Sequence, residues 1–152
     1  SEILTRANRV LARDTDGSRF VTLMLAVLDP RDRSLQYASA GQRGYLLSDK
    51  GDATVLDSTS LPLGIDAETA VPPTDSFPLE SGQIVALFTD GLTEAESPAH
   101  RRLGVETVLD SIHALRERPA REIVERLHEL AVHFSGGRVK TDDITIVLIK
   151  VE

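Results

Sequence analysis

Two acidic positions in this chain stand where a rigid scaffold could hold reactive groups. The apolar run 84–88 stops at Thr89-Asp90-Gly91, inside the stretch "ALFTDGLTEAES" (86–97). Asp142 and Asp143 stand immediately before a second apolar run, residues 144–151. Carboxylates at the ends of two core strands can converge if those strands are neighbours. Oxygen ligands of that kind suit hard divalent cations such as Mg²⁺ or Mn²⁺, with water completing the shell. Gly91 lets the backbone turn sharply after Asp90 or come close to a ligand. The plain alternative is that Asp-Gly marks a turn and that an acid before a strand caps a loop. Residue types and spacing leave both open.

Other chemistries find less support. With no cysteine, disulfides and thiolate metal sites are excluded, so a metal would need oxygen or histidine ligands. His128 and His133 are five apart on a predicted helix and so point to different faces. His113 follows the apolar Ile112, and with His100 all four histidines are expected at the surface. No Gly-rich phosphate loop and no nucleophile elbow occurs. Phe88 stands where haloacid-dehalogenase-like phosphatases carry the nucleophile of Asp-x-Asp-Gly, so that chemistry is excluded. Arg101, Arg102, Arg116 and Arg118 read as solvated charge. Arg43, between Gly41 and Gly44, is a candidate contact for an anionic substrate.

The elements that must position these groups follow from hydropathy. Ile3, Leu4, Ala7, Val10 and Leu11 recur at helical spacing over residues 2–12. "FVTLMLAVLD" (20–29) is apolar on both alternating faces and predicts a strand covered on both sides. Residues 34–40 pair with it as a hairpin, and residues 45–48 and "ATVLD" (53–57) form a third and fourth strand around the turn "DKGD". Residues 57–80 hold four of the seven prolines and predict an ordered connection, anchored by Leu61, Leu63, Ile65, Val71 and Phe77. Residues 83–89 predict another buried strand, 92–102 a polar loop, then a helix through Val105 to Leu115 and a second opened by Pro119. Residues 144–151 close the chain as a strand apolar on both faces. The fold class is therefore α+β, with two packed, mainly antiparallel sheets flanked by helices.

A length of 152 residues fits one domain, and 41% hydrophobic with 27% charged residues is the balance of a globular protein. The net charge of −7 argues against a nucleic-acid partner, which needs clustered Lys and Arg. No apolar run approaches the length of a membrane span and residues 1–14 lack a signal-peptide core, so no membrane and a cytoplasmic location are expected.

"FVTLMLAVLDP", "YASAGQRGYLL", "LPLGI", "ALFTDGLTEAES", Leu103-Gly104 and "TDDITIVLIKV" occur in this order and spacing. The ordered set resembles the C-terminal part of stage II sporulation protein E-like Ser/Thr phosphatases of the protein phosphatase 2C type, from about Ile3 to Val151. The resemblance implies an α-β-β-α sandwich and a binuclear Mn²⁺ or Mg²⁺ site whose activated water hydrolyses phosphoserine or phosphothreonine. Asp90 and Asp142 match its metal-binding catalytic carboxylates. Asp143 matches a position that orients ligands, and Gly91 supports the turn. Thr22 and Gly41 match motif positions without an assigned chemical role.

Two departures limit the match. The family carries an Asp-x-Ser-Gly-His-Gly segment, whose Asp bridges both metals, ahead of the helix that opens this chain. Residues 1–152 are thus expected to form one domain truncated at its N-terminus, about two thirds of the usual length. Gln42 also replaces the usual His after Ala40-Gly41. These residues alone are expected to bind divalent metal weakly and turn over slowly, and unpaired sheet edges would favour a homodimer. By family analogy the partner is a phosphorylated signalling protein, such as an anti-sigma-factor antagonist. Two other readings stand beside this one: a degenerate, non-catalytic protein-binding domain, and a structural domain whose acids are all turns.

Overall fold

The computed structural model describes residues 2–14, 19–137 and 143–152. The elements run α1 (Glu2–Asp14), β1 (Leu23–Asp29), β2 (Ser34–Ala40), β3 (Gly44–Leu47), β4 (Ala53–Leu56), β5 (Phe77–Pro78), β6 (Ile84–Phe88), α2 (Asp90–Thr93), α3 (Val105–Ala114), α4 (Ala120–Phe134) and β7 (Ile146–Lys150). They form two antiparallel sheets, ordered β1-β2-β5 and β4-β3-β6-β7, with helices, as the α+β expectation has it. Two compact units result: Ser1–Arg43 with Val55–Ser81, and Gly44–Thr54 with Gly82–Glu152.

In the first unit, Leu4, Ala7, Asn8 and Leu11 form the inward stripe of α1, and Leu4 joins Ala38, Ala40, Leu63 and Val71 in one core cluster. Asn8 is the polar member of that stripe, and both ends of its amide are bonded. Nδ2 donates to the carbonyls of Asp66 (2.8 Å) and Thr69 (2.9 Å), and Oδ1 accepts from Gly64 N–H (2.8 Å). Burial of a polar group is tolerated when its bonds are made in this way.

The expectation that 20–29 is covered on both sides is corrected here. Val27 is 59% exposed and Leu28 41% exposed. Among the described residues β1 is an edge strand with β2 as its one neighbour, and of its side chains Leu25 packs against the core cluster. The 57–80 connection is ordered as expected, through Leu63 and Val71, but Leu61 and Ile65 point outward. The Val21–Leu63 bridge holds Leu63 inward by two backbone bonds, N–H of each to O of the other.

In the second unit, β6 is the most buried strand. It lies between β3 and β7, which explains an apolar run without alternation. Tyr45 of β3 stacks on Phe88 with ring centres 5.1 Å apart. Val108 and Ile112 of α3 and Ile123, Leu127 and Ala131 of α4 supply the inward faces of the helices. The last strand is half-buried rather than covered on both faces, because it is the sheet's edge. His113 is half-buried, against the surface expectation. Its imidazole lies against Gly51, 2.9 Å from where a Cβ there would sit.

Candidate functional site

Asp90 is exposed between two anchored neighbours. Phe88 is 7% exposed and stacked on Tyr45, and Leu92 is fully buried. The chain leaves β6 at Thr89 and enters the single turn of α2 without a break, so the position of Asp90 is set on both sides by core packing. Gly91 lies inside that turn and is not among the glycines with positive φ. The turn at Asp90 therefore uses ordinary helical backbone.

The 92–102 segment is not a free polar loop. Leu92, Ala95 and Leu103 are buried, and the backbone closes on itself through Leu103 N–H to Ala95 O (2.9 Å) and Gly104 N–H to Thr93 O (2.9 Å). Arg102 bonds Glu94 at 2.6 Å and His100 contacts Glu96 on its surface. The acids that follow Asp90 thus each face a local partner on the surface.

The start of β7 is tied to the end of β6 by three hydrogen bonds at Thr89. Its N–H donates to Thr145 O (3.1 Å), its hydroxyl donates to Asp143 O (2.9 Å), and the hydroxyl oxygen accepts from Thr145 N–H (3.0 Å). The turns that carry Asp90 and Asp143 are therefore neighbours, and both residues are exposed. Asp142 lies outside the described residues. Sequence reasoning missed the role of Thr89, which opposes Thr145 one rung beyond the Phe88–Ile146 pair, a pairing that no local pattern marks.

Other sequence candidates sit elsewhere. Arg43 forms an exposed ion pair with Asp57 at 3.3 Å, and Gln42 Nε2 donates to Arg43 O at 3.0 Å. Gly41 acquires a structural role. At φ +74° a Cβ would lie 2.6 Å from Pro62 Cγ and 3.1 Å from Thr22 Cγ2, so glycine is what lets these three positions meet.

The donors near Asp90 and Asp143 are oxygens, the right kind for Mg²⁺ or Mn²⁺. They are right in kind but too few in number. Among the described residues, no group of three or more His, Asp or Glu side chains is gathered to hold a metal.

A family model for stage II sporulation protein E (SpoIIE) matches residues 1–152. The chain belongs to the SpoIIE family. It is 28% identical over 159 residues to the phosphoserine phosphatase RsbU of Bacillus subtilis, an alignment covering 99% of this chain and 44% of RsbU. The SiaA-PP2C domain of Pseudomonas aeruginosa shares the fold, with a TM-score of 0.71 at 22% identity, over 99% of this chain and 68% of that one. So does the phosphatase domain of SpoIIE from Bacillus subtilis in a structure described as manganese-presoaked, with a TM-score of 0.65 at 20% identity, over 86% of this chain and 56% of that one. The fold of this SpoIIE-family chain is thus that of PP2C-type phosphatase domains. The chain spans less than half the length of the curated relatives it matches. Among the described residues no helix is long and apolar enough to cross a membrane.

Proposed function

We propose that this SpoIIE-family chain is part of a metal-dependent protein serine/threonine phosphatase acting on a phosphorylated signalling protein. Asp90, at the end of β6, and Asp142 would hold Mn²⁺ or Mg²⁺, with further ligands from outside the described residues, and Asp143 would orient them. The metal would supply positive charge for the phosphate ester and would activate a water for hydrolysis. Phe88 and Leu92 hold Asp90 still, and Thr89 keeps its turn beside that of Asp143. The observation that carries the reading is this three-bond tie, which brings two acid-bearing turns together from residues far apart in the chain. The exposure of Asp90 and Asp143 suits a phosphorylated side chain presented on a protein surface better than a small enclosed metabolite. RsbU, named a phosphoserine phosphatase, supports the reaction class. The finer substrate we assign by analogy is an anti-sigma-factor antagonist in the cytoplasm.

The test is Mn²⁺-dependent phosphate release from a phosphoserine protein by the full-length protein. Asp90→Asn should lower kcat/KM on the order of a hundredfold or more, because a hard cation loses a charged ligand. Unchanged turnover in that variant would overturn the assignment. A second reading, a non-catalytic domain that binds a phosphoprotein, is favoured by the sparse ligand set among the described residues. Saturable binding of the phosphoprotein with no turnover at any Mn²⁺ concentration would select it.

A further inference from the structure

We propose that Thr89 is the positioning residue of this site, setting the turn that bears Asp90 against the one that opens β7. The inference rests on the reading of Asp90 and Asp142 given above.

Thr89 sits at the N-cap of α2 with extended backbone, φ −81° and ψ 160°. A threonine there ordinarily turns its hydroxyl onto the amides of the first helical turn. This one makes no cap bond. The reason lies in the ladder between β6 and β7. Thr89 opposes Thr145, and a regular antiparallel rung would exchange two backbone bonds. One is present, Thr89 N–H to Thr145 O. The other is not made, and the Thr89 carbonyl instead accepts from Leu92 N–H at 3.1 Å as the helix begins. The hydroxyl takes its place, accepting from Thr145 N–H while donating to Asp143 O. One side chain thereby lets the backbone leave the strand at Asp90 and still carries the sheet one rung further, to Asp143. A hydroxyl can do both jobs because it is donor and acceptor at once. Valine has the same shape and does neither.

The experiment measures Mn²⁺ binding by the electron paramagnetic resonance signal of the free ion, with the metal-free unfolding midpoint of each variant, on the full-length protein. Thr89→Val should weaken Mn²⁺ binding about tenfold, as loss of an orienting partner does. Thr89→Ser keeps the hydroxyl and should bind within about twofold of the parent. Asp90→Asn should lose most binding. Should Thr89→Val fail to fold, Thr89→Ala carries the same tenfold expectation. Unchanged binding in Thr89→Val or Thr89→Ala, with binding lost in Asp90→Asn, overturns the positioning role and leaves the Asp90 assignment standing. Unchanged binding in Asp90→Asn overturns that assignment instead. Equal weakening in Thr89→Val and Thr89→Ser overturns the role of the hydroxyl. Failure of both Thr89→Val and Thr89→Ala to fold without metal makes Thr89 a purely structural residue and also overturns the proposal.

Discussion

Asn8 offers a perturbation whose size can be worked from the coordinates. Its side chain is 2% exposed and makes three hydrogen bonds of 2.8 to 2.9 Å, two as donor and one as acceptor. Each bond contributes about 1 kcal/mol net, and truncation also leaves a cavity, so Asn8→Ala should cost about 3–4 kcal/mol. That is a large share of the 5–15 kcal/mol typical of a folded domain. Asn8→Asp separates the hydrogen-bond account from simple volume. The introduced carboxylate can still accept from Gly64 N–H, but its other oxygen would face the carbonyls of Asp66 and Thr69. Burial among carbonyl oxygens raises the pKa of that carboxyl in the folded state, because the charged form is disfavoured. A raised folded-state pKa means the folded protein holds the proton more tightly. The stability of Asn8→Asp should therefore rise as pH falls from 7 to 5, relative to the parent. Urea unfolding followed by circular dichroism at both pH values checks this. A loss under about 1 kcal/mol in Asn8→Ala, the typical contribution of one bond alone, would refute the bond count. A pH-independent deficit in Asn8→Asp would refute the electrostatic part.

Two further outcomes follow from single contacts. Gly41→Ala combines a left-handed backbone with a 2.6 Å approach to Pro62, and should cost about 2–4 kcal/mol in thermal or urea unfolding; stability equal to the parent would mean that the 41–62 contact opens freely. The Asp66 carboxyl is held below the usual carboxylate range, first by the Thr69 hydroxyl (2.7 Å) and then by Glu68 N–H. Its contribution is present at neutral pH and is lost as pH falls through that depressed pKa, so Thr69→Val should move the Asp66 NMR titration upward and reduce the acid dependence of unfolding. An unmoved titration would exclude the hydroxyl as the cause.

Much of the fold was legible because its signals are local. The Ile84–Phe88 run has no polar interruption, and it is the central strand of its sheet. Ile123, Leu127 and Ala131 recur at helical spacing and all face the core. The β1–β2 hairpin follows from two apolar runs around a turn at Asp29-Pro30. What misled was apolarity taken as burial. Val27, Leu28, Leu61 and Ile65 are as hydrophobic as their buried neighbours, yet exposed. Hydropathy reports how much a residue gains from burial, and only the neighbouring elements settle whether something covers it. Asn8 carries no local sign of its burial, because its three partners lie 56 to 61 positions away.

The same division holds at the site. Asp90 was singled out from sequence by a buried strand that stops at an acid, and the SpoIIE-family membership agrees with the motifs that carried the resemblance. Residue types by themselves determined the class of element, the lack of thiolate ligands and the net negative charge, because these depend on composition and short-range periodicity. Tertiary structure alone decided that the Asp90 and Asp143 turns are neighbours, that Gly91 is an ordinary helical residue while Gly41 must be glycine, and that the Thr89 hydroxyl serves as a sheet rung rather than a helix cap. The Thr89 bonds join residues 54 and 56 positions apart, and the Gly41 contacts join separate segments of the chain, so no local pattern encodes either meeting.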